Sequence, residues 1–256
     1  MTTSTTQKIA LITGGSRGLG KNAAIKLAQR GVDVIFTYHS KAAEAAELVS
    51  EIQAIGRKAV ALQLDVSQAS SFAGFAKQVQ QALSETWQCE QFDFLLNNAG
   101  IGLHASFAET SEAQFDQLMN IQFKGVFFLT QALLPLIANQ GRILNVSSGL
   151  TRFALPGYAA YAAMKGAIEV LTKYLTKELG ARGIAVNVIA PGAIETDFGG
   201  GAVRDNQQLN QFVASQTALG RVGLPDDIGN AIAALLSDDC GWINAQRIEA
   251  SGGMFL

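Results

Sequence analysis

The chain has 256 residues, of which 48% are hydrophobic, and its formal net charge is −2. This length suits one α/β domain with a large core, and the absence of excess positive charge argues against nucleic acid or anionic lipid as a partner. Two cysteines, Cys89 and Cys240, are too few for a disulfide framework and match no metal-ligand spacing. With no apolar run of about 18 residues, we expect a cytoplasmic protein that binds a small molecule, without metal, membrane or nucleic acid.

Strand-like and helix-like patterns alternate along the whole chain. Apolar β-type runs occupy residues 9–13, 32–38, 58–64, 92–96, 142–146, 184–189 and 246–250. Helical spacing fills residues 22–30, 42–55, 70–83, 111–119, 123–137, 157–180 and 225–236. This alternation predicts an α/β fold with a doubly wound, seven-stranded parallel sheet. Residues 195–219 contain three consecutive glycines and interrupt the pattern, so we interpret them as a lid segment.

The first predicted strand runs directly into a glycine-rich turn over residues 14–20. These glycines let the backbone approach a pyrophosphate, whose charge the following helix N-terminus meets; glycines that merely turn the chain are the alternative. The other strands end in polar or glycine-containing segments, at Asp65, Asn97, Ser147-Ser148 and Pro191-Gly192. Open α/β sheets bind ligands at this edge, so we expect one site there. For Asp65, capping of the following helix is the alternative.

Tyr161 and Lys165 lie four residues apart in a helix-favouring run and therefore share one helix face. A lysine beside a tyrosine favours the phenolate and lowers a pKa of about 10 toward neutrality, as a general acid requires. A core tyrosine beside a solvated lysine has the same spacing and is the alternative. Tyr158 has Ala162 at the fourth position after it, so we interpret Tyr158 as a pocket wall.

Several motifs follow one another in a fixed order. They are TGGSRGLG at 13–20, Asp65-Val66, NNAG at 97–100, Asn120, Ser148, YxxxK at 161–165, and Pro191-Gly192 with Thr196. Over residues 8–254 the chain closely resembles the short-chain dehydrogenase/reductase family. The resemblance implies a single Rossmann-like domain over residues 1–256 and an NADPH-dependent oxidoreductase that reduces a ketone to a secondary alcohol. A 3-oxoacyl-carrier-protein reductase is the alternative activity, and a non-catalytic NADP-binding sensor is a remote one.

The resemblance also implies a catalytic tetrad of Asn120, Ser148, Tyr161 and Lys165. Tyr161 is expected to donate a proton to the carbonyl oxygen, and Ser148 to hydrogen-bond that oxygen. Lys165 lowers the tyrosine pKa and binds the nicotinamide ribose in similar enzymes, where the asparagine bends its helix and holds a proton-relaying water. Ser148 is selected over Ser147 because the family usually separates the serine and the tyrosine by thirteen positions.

We expect NADPH rather than NADH as the cofactor. NAD-selective folds place a carboxylate about twenty residues beyond the glycine motif, and this chain has Tyr38 there. Arg17 and Lys41 are then candidates for binding the 2′-phosphate, unless they are simply solvated. The predicted cofactor-binding residues are Gly14, Ser16, Arg17, Gly18, Leu19, Gly20, Tyr38, His39, Ser40, Lys41, Asp65, Val66, Asn97, Ala99, Gly100, Tyr161, Lys165, Pro191, Gly192, Ile194 and Thr196.

The predicted substrate pocket is mostly apolar, which favours ketones with aromatic or alkyl groups over charged or sugar-like ones. Its residues are Leu103, His104, Phe153, Leu155, Tyr158, Phe198 and Met254. For His104, a loop position without a role is an equal alternative. The helices of residues 111–137 and 157–180 predict a homotetramer, because relatives pair there and the second helix is rich in Ala and Leu.

Overall fold

Seven parallel strands form one sheet in this computed structural model, which describes residues 7–256. The strands are β1 (Ile9–Ile12), β2 (Asp33–Tyr38), β3 (Ala59–Gln63), β4 (Phe92–Asn97), β5 (Ile137–Val146), β6 (Ala185–Pro191) and β7 (Arg247–Ala250). Their order across the sheet is β3-β2-β1-β4-β5-β6-β7. The connections run outward in both directions from the centre, so the switch point lies between β1 and β4. The predicted α/β fold with a seven-stranded parallel sheet is confirmed.

Helices cover both faces of this sheet. They are α1 (Gly18–Gln29), α2 (Ala42–Ala54), α3 (Phe72–Trp87), α4 (Glu112–Met119), α5 (Gly125–Leu133), α6 (Ala159–Leu179), α7 (Ala202–Asp205), α8 (Gln207–Ser215) and α9 (Pro225–Leu235). Alternate residues of a strand point to opposite faces, so Ala10 and Ile12 pack with α1, α2 and α9, while Ile9 and Leu11 pack with α3 and α5. The two cores fix all seven strand ends relative to one another.

The structure corrects the predicted boundary between α5 and β5. The helix predicted over residues 123–137 ends at Leu133, because Pro135 lacks an N–H and a 3₁₀ turn follows over Leu134–Leu136. β5 begins at Ile137, where a strand was predicted only from residue 142. Its pairing with β4 shifts register between Phe92 and Phe94, since the 137–142 segment carries extra residues against β4.

A π-helical turn, Asn120–Lys124, separates α4 from α5. Within it the N–H of Gly125 donates to the carbonyl oxygen of Asn120, five residues earlier. A Cβ at Gly125 would lie 2.4 Å from the backbone oxygen of Val66, so only glycine permits this approach to the segment after β3. The π-turn also packs against α6, which places Asn120 on the side of the sheet that carries Tyr161.

The lid segment (residues 195–219) contains a short turn, Phe198–Gly201, followed by α7 and α8. Gly199, Gly200 and Gly201 have φ angles of 62°, 76° and 78°, a left-handed run that glycine adopts without strain. The end of the segment pairs with the C-terminal tail through an antiparallel bridge between Thr217 and Met254. None of the helices within residues 7–256 combines the length and apolarity needed to cross a membrane.

Candidate active site

The glycine turn after β1 is attached to the end of β4. The hydroxyl of Thr13 accepts hydrogen bonds from the backbone N–H groups of Asn98 at 3.0 Å and Ala99 at 2.9 Å. The Asn98 side chain returns two bonds, from Nδ2 to the oxygens of Thr13 at 2.9 Å and Gly14 at 3.1 Å. Sequence reasoning missed this role of Asn98, although its place in the NNAG motif was visible. The bonds fix the turn where a cofactor is expected.

Two glycines of this turn lie against backbone atoms, which leave no room for a side chain. A Cβ on Gly14, whose φ is 66°, would lie 3.0 Å from Ala99 Cα, and a Cβ on Gly20 would lie 2.2 Å from the oxygen of Gly14. At the start of α1, Arg17 provides no side-chain cap and the first turn carries no acidic residue. The first N–H groups of α1 therefore remain open to an anion, an arrangement that fits a dinucleotide pyrophosphate.

The loop after β2 brings the residues predicted for the adenosine end together. His39 Nε2 lies 3.8 Å from Asp65 Oδ2, so the ends of β2 and β3 are adjacent. Asp65 also accepts hydrogen bonds from the backbone N–H and the hydroxyl of Ser67 in a local turn, and it caps no helix, since Gln68 and Ser71 are the N-caps of the helical segments that follow. Lys41 forms an exposed ion pair with Glu44 at 3.1 Å, so its ammonium already has a partner. Arg17 and Ser40 are exposed, Tyr38 and Val66 are half-buried, and Ser16 is buried.

The side chain of Asn97 does not line the cofactor site, contrary to prediction. It is buried, and its Nδ2 donates to Thr130 Oγ1 at 3.0 Å and to Asn145 Oδ1 at 2.8 Å. Asn145 in turn donates to Thr172 Oγ1 at 2.9 Å. These amides connect β4, β5 and α6 beneath the strand ends, because buried polar groups must find partners inside the protein. The Asn97 side chain thus stabilises the strand ends that carry the site, without lining the site itself.

Tyr161 and Lys165 lie on one face of α6 with side chains that are 7% and 5% exposed. Lys165 Nζ donates to the backbone oxygen of Val146, at the end of β5, at 2.8 Å. The same nitrogen lies 5.7 Å from the centroid of the Tyr161 ring. The alternative of a lysine solvated beside a core tyrosine is therefore wrong for this chain.

The pKa values of this pair differ from the predicted ones. Burial raises the pKa of Tyr161 above its ordinary value, and the interaction with Ser148 only partly opposes this. Burial also lowers the pKa of Lys165 to about 7. Sequence reasoning considered only the attraction between ammonium and phenolate. In the structure the loss of hydration, which disfavours every charged form, is larger.

The two adjacent serines after β5 have different surroundings. Ser147 is buried, and its hydroxyl donates to Glu169 Oε1 at 2.7 Å. Ser148 is half-buried, and a hydrogen bond from its side chain to the phenol partly opposes the rise in the pKa of Tyr161. Its Oγ accepts a hydrogen bond from the Leu150 N–H at 3.2 Å, which leaves the hydroxyl hydrogen free to be donated. The predicted choice of Ser148 over Ser147 fits this geometry.

The segment after β6 lies across the cleft from the glycine turn. A Cβ on Gly18 would lie 4.0 Å from Thr196 Cβ. A Cβ on Gly192 would lie 2.9 Å from Ser251 Cα. Ile194 pairs with Gly223, so its backbone is fixed next to the lid segment. Ala99 and Gly100 follow β4, so they lie with these residues at the same edge of the sheet, at the carboxyl ends of the strands.

Only part of the predicted substrate pocket gathers around Tyr161. The Phe198 ring centroid lies 5.9 Å from that of Tyr161, and Leu103 packs in the same cluster. His104 is exposed and contacts Tyr158 edge-on, with the two ring centroids 5.0 Å apart. Met254 is wrongly predicted as a wall residue, because its buried side chain packs with Phe153 against the lid segment. Leu155 is half-buried in the loop between β5 and α6.

A family model described as enoyl-(acyl carrier protein) reductase matches residues 14–255. The chain is 36% identical to the 3-oxoacyl-[acyl-carrier-protein] reductase FabG of Staphylococcus aureus, covering 97% of this chain and 98% of that one. Among solved structures, the promiscuous reductase LugOII, which catalyses keto-reduction at C1 during lugdunomycin biosynthesis, aligns with a TM-score of 0.93 and 35% identity over 98% of this chain and 99% of that one. The angucycline C-6 ketoreductase LanV with bound NADP aligns with a TM-score of 0.92 and 33% identity over 97% and 95%.

The likeness extends over nearly the whole chain and includes both sequence and fold. It agrees with the ordered motifs, with the parallel sheet and with the buried Tyr161–Lys165 pair. The chain therefore belongs to the short-chain dehydrogenase/reductase family.

Proposed function

We propose that this protein is an NADPH-dependent ketoreductase in which Tyr161 donates the proton. The observation that carries this proposal is the buried Tyr161–Lys165 pair beside Ser148, at the strand edge that also holds the glycine turn. The chain is an NADP-dependent oxidoreductase of carbonyl and hydroxyl groups, as its relatives are. The non-catalytic sensor is not supported, because the residues for proton transfer are all present.

Bound NADPH supplies the hydride that reduces the carbonyl carbon. Tyr161 donates its phenolic proton to the carbonyl oxygen, and the Ser148 hydroxyl donates a hydrogen bond to the same oxygen. At neutral pH the phenol of Tyr161, whose pKa is raised by burial, carries the proton that it donates.

Lys165 is held in place by the Val146 carbonyl, with its ammonium next to the Tyr161 ring. A pKa of about 7 lets it gain and lose a proton near neutrality, so it can return a proton toward Tyr161 after turnover. We assign Asn120, in the π-helical turn that packs on α6, to the same proton path.

The cofactor contacts divide into three groups. Gly14, Gly18 and Gly20 bring the backbone to the pyrophosphate, with Ser16 and Leu19 in the same turn. The loop after β2, with Asp65 and Val66, takes the adenosine, and Ala99 and Gly100 border its ribose. Pro191, Gly192, Ile194 and Thr196 take the nicotinamide end, near Tyr161 and Lys165. Asn97 contributes its backbone only.

For the 2′-phosphate, Arg17 is the stronger candidate. Its guanidinium is exposed next to the turn, whereas the Lys41 ammonium is already paired with Glu44. Tyr38, His39 and Ser40 present no carboxylate that would repel a phosphate. A guanidinium binds phosphate oxygens bidentately, and this supports NADPH over NADH.

The substrate we propose is a ketone with an aromatic or alkyl group, because Leu103, Tyr158 and Phe198 present apolar surfaces near Tyr161. Phe198 belongs to the lid segment, which we propose covers the pocket. A 3-oxoacyl-carrier-protein reductase is the second candidate, and the 36% identity to FabG favours it. Assay of 3-oxoacyl thioesters with and without a carrier protein distinguishes the two.

We also propose a homotetramer in the cytoplasm. Large apolar side chains are exposed on α4, α5 and α6, namely Phe115, Phe127, Phe128, Val170 and Tyr174. Exposed large apolar side chains on helices are typical of subunit contacts. The two free thiols, Cys89 and Cys240, support a reducing compartment, which cell fractionation would test.

Tyr161→Phe should reduce turnover at least about 100-fold with every ketone of a panel, because it removes the proton donor and little packing. NADPH oxidation is measured with aryl and alkyl ketones, a sugar and a dicarboxylate, and the wild type should prefer the aryl and alkyl ketones. Tyr158→Phe should cost less than about tenfold. Normal turnover by the Tyr161 variant would make Tyr158 the candidate donor, and a preference for the sugar would contradict the apolar pocket.

Arg17→Ala should weaken NADPH binding about tenfold while changing NADH binding little, since only NADPH carries the 2′-phosphate. Tyr38→Asp should weaken NADPH by repulsion. Arg30→Ala, at the other end of α1, is the matched control and should leave the NADPH-to-NADH ratio unchanged. Dissociation constants come from fluorescence titration. A wild-type catalytic efficiency that is higher with NADH would refute the assignment.

Lys165 should make stability depend on pH. Its pKa falls from 10.5 to about 7 on folding, so between these values the unfolded chain binds more protons and the free energy of unfolding rises with pH. Relative to Lys165→Met, which cannot titrate, the wild type should therefore gain stability from pH 7 to pH 9. Urea unfolding at one protein concentration measures this, with the exposed Lys173→Met as control. A pH-independent difference between wild type and Lys165→Met would contradict the lowered pKa.

Light scattering at micromolar concentration should give four times the chain mass of 27.0 kDa. Val170→Glu, on the exposed face of α6, should lower this mass by placing charge in an apolar contact. Gln80→Glu, an exposed position on α3, should leave it unchanged. A monomeric mass for the wild type would rule out the tetramer.

A further inference from the structure

Beside the candidate catalytic residues lies a charged cluster that the proposed mechanism does not use. Its centre is Glu169 on α6, and Arg247 on β7 contacts it through Nε, 2.8 Å from Glu169 Oε1. The two side chains are only 20% and 25% exposed, respectively. Tyr161, Lys165 and Glu169 recur every four residues, so all three lie along one stripe of α6. The cluster is therefore continuous with the site.

A single carboxylate oxygen of Glu169 accepts three hydrogen bonds. The hydroxyls of Ser147 and Thr151 each donate to Oε1 at 2.7 Å, and Arg247 is the third donor. Ser147 and Thr151 stand on either side of Ser148, in the turn that follows β5. Glu169 thus holds the turn at both ends, with bonds that its charge strengthens.

Arg247 holds the middle of the same turn. Its Nη2 donates to the backbone oxygen of Ser148 at 3.2 Å and to Thr151 Oγ1 at 3.0 Å. Its Nη1 donates to Glu249 Oε2 at 2.9 Å, so one planar guanidinium spans two carboxylates and the turn. Because the directions of these donors are fixed, Arg247 sets the position of the Ser148 backbone relative to α6 and β7.

We propose that Glu169 and Arg247 are positioning residues for Ser148. They fix the turn over residues 147–151 so that the Ser148 hydroxyl, whose hydrogen is free, is aimed at the substrate carbonyl oxygen. This inference rests on the proposed function, in which Ser148 stabilises that oxygen. Neither residue touches the substrate, and both act through the backbone that carries Ser148. A small displacement of such a group lowers the rate strongly.

A double-mutant cycle tests the proposal. Glu169→Ala should lower kcat about tenfold and leave the dissociation constant of NADPH unchanged, because the turn moves while the cofactor crevice remains. Ser148→Ala should lower kcat by more. The variant with both substitutions should have a kcat within about twofold of Ser148→Ala alone, since a misplaced serine cannot matter once its hydroxyl is gone.

Two conservative variants supply a second readout that does not require the alanine protein to fold. Glu169→Gln keeps an oxygen that accepts from Ser147 and Thr151, so it should recover part of the lost kcat. Arg247→Lys keeps the charge but cannot span Ser148 and both carboxylates, so its kcat should fall, again only where Ser148 is present. Glu178→Ala, an exposed position on α6, is the matched control and should keep full kcat.

The outcomes separate this inference from the function on which it rests. If Ser148→Ala keeps full kcat, the serine role fails, and the positioning role fails with it. Suppose instead that Ser148→Ala loses activity, and that adding a Glu169 or Arg247 substitution lowers kcat by the same factor as it does in the wild type. Then only the positioning role is overturned. Unchanged kcat in both Glu169→Gln and Arg247→Lys would likewise overturn it.

Discussion

A lysine ammonium buried in a protein needs an acceptor, and Lys165 has the Val146 carbonyl at 2.8 Å. That carbonyl is the end of β5, which is paired on both sides, with β4 and β6, and cannot move without the sheet. The helix that carries the lysine is equally fixed, because Ile168 and Leu171 pack on Val188 of β6. The distance between β5 and α6 therefore determines the position of Lys165. It also determines the position of Tyr161, which lies one helical turn earlier. Every other part of the candidate site is arranged around this fixed pair.

Much of the fold was predictable because local pattern and global architecture agree. Strands buried on both faces are continuous apolar runs, and the helices between them carry an apolar stripe, so the alternation could be read directly. The boundary at residues 134–142 was only partly predictable, because Leu134 to Ile137 suits a helix by hydrophobicity and Pro135 alone signals its end. Pro135 and the pairing of Ile137 with Phe92 decide against a helix, and the second of these is a contact between residues distant in sequence.

The candidate site was predictable where a residue type is dictated by chemistry or by space. At Gly14 and Gly20 a Cβ would lie within about 3 Å of a backbone oxygen or a Cα atom, so only glycine fits there. By contrast, the direction of a side chain at a strand end is not written in the sequence. Asn97 points into the core while Asn98, its neighbour, ties the glycine turn, as alternation along a strand requires. The same limit explains Met254, whose burial depends on how the tail packs against the lid segment.

The pKa values show why proximity in sequence is a poor guide to electrostatics. Tyr161 and Lys165 were expected to stabilise each other's charges, but both are buried, so hydration is lost by both. The result is a phenol that keeps its proton and an amine that readily loses its own. Ketone reduction consumes one proton from solvent, and a protonated phenol supplies it at the moment when charge develops on the oxygen. Alcohol oxidation needs the phenolate instead, which burial disfavours. Burial of Tyr161 therefore favours the protonated phenol from which reduction starts, and it also makes that phenol a weaker acid, a cost that the developing charge on the oxygen must offset.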